Sequence, residues 1–207
     1  ALPLSKKVWV WIITLGVLGY YLSSLFDFIG LQYISAGLER LILFLYPTFA
    51  VLLNTWIFKS TITKIQLFAL GLTYSGIGIA YYAELGTIQH NPQFYFGSFM
   101  VFLCAVTYSF YLVGTGKMVV KAGATRYTAY AMLAATAGVF MHFIVQQQWS
   151  EVNMSTQLWW YGVALAVIAT VIPSFMMSSG MKKIGSNNAS IITSIGPVCT
   201  IIQATIL

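Results

Sequence analysis

Seven apolar stretches, each close to a membrane thickness in helical length, follow one another along the 207-residue chain with only short connections between them. They are segment A, Val8 to Phe28; B, Gly37 to Phe58; C, Ile65 to Ala83; D, Phe94 to Gly116; E, Tyr127 to Val145; F, Leu158 to Ser179; and G, Asn188 to Leu207. About 20 residues of α-helix cross a hydrocarbon core of about 30 Å. Barrel strands would alternate over about ten residues, and these runs do not alternate. Inside lipid the backbone must satisfy its own polar groups, which a helix does segment by segment. The expected fold is therefore an all-α integral membrane protein, a multi-span helical bundle with seven spans. Composition agrees: 59% of residues are hydrophobic and 7% charged, against about 25% charged in soluble domains. No polar stretch is long enough for a soluble catalytic domain or a nucleic-acid module. Cys104 and Cys199, both in apolar runs, exclude a disulfide scaffold.

The basic residues sort by side. With seven spans, Lys6, Lys7, Lys59, Lys64, Lys117, Lys121, Arg126, Lys182 and Lys183 fall on one side, nine of the ten, and only Arg40 departs. Asp27, Glu39, Glu84 and Glu151 lie at or toward the other side. The positive-inside rule then places the amino end in the cytoplasm and the carboxyl end outside, in a cytoplasmic membrane. Trp9, Trp11, Trp56, Trp149, Trp159 and Trp160 stand near span ends, as an interfacial belt requires. The net charge of +6 is thus a topology signal.

The chain also repeats itself. A shift of 150 residues lays Trp9 on Trp159, Leu15 on Leu165, Val17 on Val167, Ser24 on Ser174, Gly30 on Gly180, Ile34 on Ile184, Ile42 on Ile192, Pro47 on Pro197 and Thr55 on Thr205. A and B match F and G without a gap, so the period is five spans. An odd period inverts the second copy relative to the first, which is the arrangement of many secondary transporters.

The stretch from Gly30 to Leu53, GLQYISAGLERLILFLYPTFAVLL, and its weaker copy from Gly180 to Ile202, GMKKIGSNNASIITSIGPVCTII, resemble the paired signature of the drug/metabolite transporter superfamily, in particular its EamA-type carriers. Ser35 and Ala36 with Pro47, and Gly185 and Ser186 with Pro197, match its small-residue opening and the proline about twelve positions later. The resemblance implies ten helices in two inverted five-helix repeats, with A to G as helices three to nine. Residues 1–86 would hold the last three helices of the first repeat and 87–207 the first four of the second. A chain that opens without methionine and stops at Ile206 and Leu207 fits a fragment of such a carrier. The resemblance also implies a central cavity and export of small metabolites such as amino acids.

Several positions are candidates for that cavity. Pro47 and Pro197 stand near the middle of B and G, where a proline kinks a helix and frees a carbonyl; packing alone is the competing explanation. Tyr46 would offer a hydroxyl or a ring face. Asn54, Ser174 and Thr193 are polar residues within spans that could bond a substrate. Glu39 and Arg40 form either an interfacial structural pair or a charged gate, with Glu39 as a proton-coupling carboxylate. His142 lies on a small-residue stripe with Thr128, Ala131, Ala135 and Gly138, which favours helix packing over a proton relay.

Enzyme chemistry finds no foothold. His90 and His142 are far apart, there is no HExxH or Cys-x-x-Cys, and no glycine-rich loop precedes a lysine. No metal, cofactor or nucleic-acid partner is expected. The expected partners are a small-molecule substrate and the lipid bilayer, with a homo-oligomer left open. A seven-helix receptor is opposed by the cytoplasmic amino end and by the lack of lysine in G to hold a retinal. A membrane scaffold without transport activity is the remaining alternative.

Overall fold

The computed structural model describes residues 4–59, 61–84, 92–146, 155–193 and 195–196. Among them there is no strand. Helix α1 covers Lys6–Leu31. Segment B folds as two helices, α2 over Ala36–Leu43 and α3 over Tyr46–Phe58. Then come α4, Lys64–Glu84, α5, Phe94–Ala122, and α6, Ala124–Gln146. The remaining stretch, Thr156–Thr193, breaks at Gly185 into α7, 156–184, and α8, which begins at 186.

Local chemistry sets these boundaries. Ser35 Oγ accepts the Leu38 N–H at 3.1 Å and so starts α2, and Ser155 does the same for Leu158 at 3.2 Å before α7. At α4 the exchange is reciprocal: Gln66 N–H donates to Thr63 Oγ1 and Thr63 N–H to Gln66 Oε1, a capping box. Gly123 turns α5 into α6 at φ 83°, and Gly185 separates α7 from α8 at φ 80°, backbone that glycine adopts without a side-chain clash.

Two expectations change. Seven crossings is an overcount, since five helices among the described residues are long and apolar enough: Lys6–Leu31, Ala36–Ile57, Phe94–Ala122, Ala124–Gln146 and Thr156–Thr193. Helix α4 runs for 21 residues, but Gln66, Thr73, Tyr74, Ser75 and three glycines dilute its apolar content. Segments F and G join in one stretch around Gly185, and the rest of G, with Pro197 and Cys199, lies outside the described residues, as do Trp149 and Glu151. Pro47, for its part, does not kink the middle of a helix. It sits in the first turn of α3, where its missing N–H costs least, and the break in segment B falls just before it at Phe44 and Leu45.

Helix α5 is the hub, packed against α1, α2, α3, α6 and the stretch 172–193. Its Val101, Ala105, Leu112 and Val119 are fully buried, together with Ser109 and Thr115. In lipid the tails are as apolar as leucine, so close backbone approach and interhelical hydrogen bonds hold the helices together. Thr115 and Tyr127 hydroxyls meet at 2.7 Å, and Thr128 donates to Ser178 at 2.6 Å. Gly16 of α1 lies on the Ala131 backbone of α6. Gly30 of α1 and Gly97 of α5 face one another so closely that a Cβ on either would come within 3.0 Å of the other's carbonyl oxygen. Leu52, Trp56, Leu67, Phe68, Met141 and Trp160 point away from the bundle, as side chains facing lipid do.

Gly97→Val is expected to destabilise the purified protein by about 1–3 kcal/mol through overpacking at this crossing, read as a lower melting temperature in detergent. Gly162→Ala, where an added Cβ meets nothing within 4 Å, is expected to leave the melting temperature unchanged.

Candidate functional site

A cavity of about 340 Å³ lies at mid-depth in the bundle, between α1, α5 and α7, with Leu43 and Tyr46 from segment B. Both outer helices leave regular α geometry where they meet it. In α1 the turn Val17–Leu22 is π-helical and contributes Gly19 and Tyr20; in α7 the turn Leu165–Val171 is π-helical and contributes Ala169 and Thr170. The two turns occupy matching places under the 150-residue shift, and such widened turns gather at functional sites. Helix α5 presents Cys104, Tyr108 and Tyr111 on one face, at spacings of four and three.

Four tyrosines form a connected wall. Tyr46 and Tyr108 stand edge to face at 5.3 Å, Tyr108 and Tyr111 are 5.7 Å apart, and Tyr111 and Tyr20 meet at 5.0 Å. Tyr111 donates to the Tyr20 hydroxyl at 2.7 Å, and the Tyr46 hydroxyl lies 3.1 Å from Thr193 Oγ1. Asp27 lines the end of the cavity away from Lys6. Its carboxyl group interacts with that of Glu39 and with the Arg40 guanidinium. Glu39 is 1% exposed, and its Oε2 is 3.1 Å from Arg40 Nε. Asp27 Oδ1 and both Glu39 oxygens are buried without a hydrogen-bond partner.

At the lysine-rich end, hydrogen bonds tie α3 and α4 to the start of α8. Asn54, near the end of α3, donates from Nδ2 to Ser186 Oγ at 3.0 Å and to Asn187 Oδ1, tying α3 to the first residues of α8 just beyond the break at Gly185. Gln66 of α4 donates to Asn188 Oδ1 at 3.1 Å. Gly116 makes room for Ser186, since a Cβ there would lie 2.8 Å from Ser186 Cβ. A second cavity of about 540 Å³ sits over this latch and is lined by Lys117, Lys121 and Lys182 with Asn54 and Gln66.

The EamA-like transporter family profile matches residues 1–82 and 95–207. The chain belongs to the EamA-like transporter family. It is 33% identical over 196 residues to the uncharacterized transporter YcbK of Bacillus subtilis (strain 168), a match covering 90% of this chain and 60% of that protein. It is 27% identical over 194 residues to the uncharacterized transporter YyaM of the same organism, covering 92% of this chain and 63% of the relative. The chain therefore spans about three-fifths of the length of the curated relatives it matches. A crystal structure 18% identical in sequence shares the fold, with a TM-score of 0.76 over 98% of this chain and 68% of that one.

Within this EamA-like fold the candidate residues separate. Tyr46 and Ser174 line the central cavity. Thr193 touches its wall through Tyr46, and Pro47 is fully buried behind it. Pro47 has no N–H to give the carbonyl of Leu43, four residues back, and Leu43 lines the cavity. Asn54 belongs to the latch, away from the tyrosine wall. Glu39 and Arg40 meet the cavity through Asp27. His142 stands at the contact of α6 with α1, its Nδ1 2.9 Å from the Tyr21 hydroxyl and its Nε2 2.7 Å from Gln146. Pro197 lies outside the described residues. Asp27 and the three further tyrosines were not among the candidates, although the spacing of Tyr108 and Tyr111 marks one face of α5.

Asn54→Ala removes both donors of the latch, worth about 1.4 kcal/mol together on the scale of net hydrogen bonds. Amide hydrogen exchange at residues 186–190 is expected to quicken roughly ten-fold, with exchange in α5 unchanged.

Proposed function

We propose that the protein is a secondary carrier that exports small organic metabolites, such as amino acids and related solutes, across the cytoplasmic membrane by alternating access. The observation that carries this reading is the mid-depth cavity between α1 and α7, flanked by a π-helical turn from each, with the Asn54 hydrogen bonds toward the lysine-rich end. A carrier of this kind needs two related halves that rock about a central site. The paired turns, the 150-residue repeat and the family matches on either side of residues 83–94 support residues 1–86 and 87–207 as parts of two inverted repeats. With the lysine-rich end in the cytoplasm, the latch is an inner gate and this conformation faces outward.

The candidate residues take roles accordingly. Tyr46 and Ser174 contact the solute, and Thr193 orients Tyr46. Pro47, with Pro197 as its repeat mate, shapes the wall by freeing a carbonyl. Asn54 gates the inner side, and Glu39 with Arg40 forms the charged outer boundary. His142, bonded at both ring nitrogens, serves the α1–α6 contact. The reading assigns the chain no enzyme activity of its own.

In proteoliposomes holding the full-length protein and loaded with unlabelled amino acids, counterflow is expected to concentrate at least one labelled amino acid or related solute above its equilibrium level. No counterflow across the set would favour a non-transporting scaffold. In a Cys104→Ser, Cys199→Ser background, Ser24→Cys is expected to react with a membrane-impermeant maleimide added from outside the cell. Reaction only from the cytoplasmic side would reverse the orientation.

A further inference from the structure

The central cavity carries one charged side chain among its described lining residues, and it is acidic. Asp27 shares its neighbourhood with Glu39 and Arg40, so two carboxyl groups face one guanidinium. The Arg40 charge is taken up by Glu39 at 3.1 Å. Asp27 Oδ1 is left buried with no donor. An unbonded carboxyl oxygen removed from water is costly, and a positively charged donor in the cavity would satisfy it.

The rest of the cavity describes what carries that charge. Tyr20, Tyr46, Tyr108 and Tyr111 are chained at centroid distances of 5.0 to 5.7 Å. The Tyr111 hydroxyl donates to Tyr20 and the Tyr46 hydroxyl pairs with Thr193 Oγ1 behind the wall, so these two side chains offer an occupant mainly ring surface. The faces of aromatic rings attract cations within about 6 Å, and more strongly where water is excluded. An inorganic cation gains little from such a wall beyond its charge, whereas an organic ammonium gives N–H donors to Asp27 and apolar surface to the rings. Acidic solutes meet no cationic side chain among the described lining residues, because Lys117, Lys121 and Lys182 line the other cavity, beyond the latch. A volume of about 340 Å³ falls at the small end of ligand sites.

We propose that the central cavity recognises the ammonium group of an amine-bearing solute, held by the Asp27 carboxylate against the faces of the tyrosine wall. This assignment rests on the carrier reading and names the substrate class of the same site. It sharpens that reading from small metabolites in general to amines, in preference to neutral or acidic molecules of equal shape.

Calorimetric titration of the full-length protein in lipid nanodiscs at pH 7, with three probes of one shape, tests it. 2-Phenylethylamine is expected to bind at least ten-fold more tightly than 2-phenylethanol, and 3-phenylpropionate more weakly still. This comparison needs no variant. Asp27→Asn, a near-isosteric change, is expected to weaken the amine at least ten-fold and the alcohol less than two-fold; Tyr108→Leu is expected to weaken the amine several-fold. Equal affinity for amine and alcohol in the unaltered protein overturns the proposal. So does amine binding that Asp27→Asn leaves unchanged, as when the carboxyl pair holds only a proton or an inorganic cation. Counterflow of a solute without preference for amines defeats the amine assignment and leaves the carrier reading standing. Selective amine binding without any counterflow does the reverse.

Discussion

A polypeptide in hydrocarbon has no water to bond its backbone, so any departure from regular helix must be covered by protein or line a cavity. That constraint organises this molecule. Among the described residues four departures concern the cavity and its lysine-rich end: the π-helical turns in α1 and α7, the break before Pro47, and the positive-φ glycine at 185. The first three meet at the central cavity, and the fourth lies beside the Asn54 hydrogen bonds toward its lysine-rich end. Helix α5 covers them all, with small residues where α1 must come close and hydroxyl pairs where α6 and α7 cross.

The same solvent explains why the few polar groups matter. Surface ion pairs in water contribute little, but Glu39 is removed from both water and lipid and sits beside Arg40 and Asp27 at one end of the cavity. At the other end, a single asparagine of α3 holds the start of α8, just beyond the positive-φ break at Gly185. A charged boundary that is expensive to disrupt faces a neutral latch that two hydrogen bonds hold.

Much of the architecture could be read from the residues because hydropathy and charge are additive along a chain. The helices, the sorting of nine basic residues and the 150-residue repeat all follow from residue type and spacing, as did membership of a transporter family. Tyr46 and Ser174 reach the cavity because they lie near mid-span. The rest depended on geometry that side chains do not encode one by one. A π-helical turn has no residue signature, so nothing in VLGYYL or LAVIATV announced one. Asp27 read only as a charge near a span end, because its approach to Glu39 is set by how α1 crosses α2. The count of spans failed where composition is ambiguous, in α4 with its polar and glycine residues. Pro47 read as a kink because the turn at Phe44 and Leu45 carries no turn residue.

The central claim is that the latch at Asn54 must open for a solute to pass from the cytoplasm. A disulfide between Asn54→Cys and Asn187→Cys, in a Cys104→Ser, Cys199→Ser background of the full-length protein, would hold it shut. Counterflow in proteoliposomes measured before oxidation, after oxidation and after reduction tests this directly. The account predicts that oxidation abolishes counterflow and that reduction restores it. Undiminished counterflow with the bond formed in nearly every molecule would contradict it.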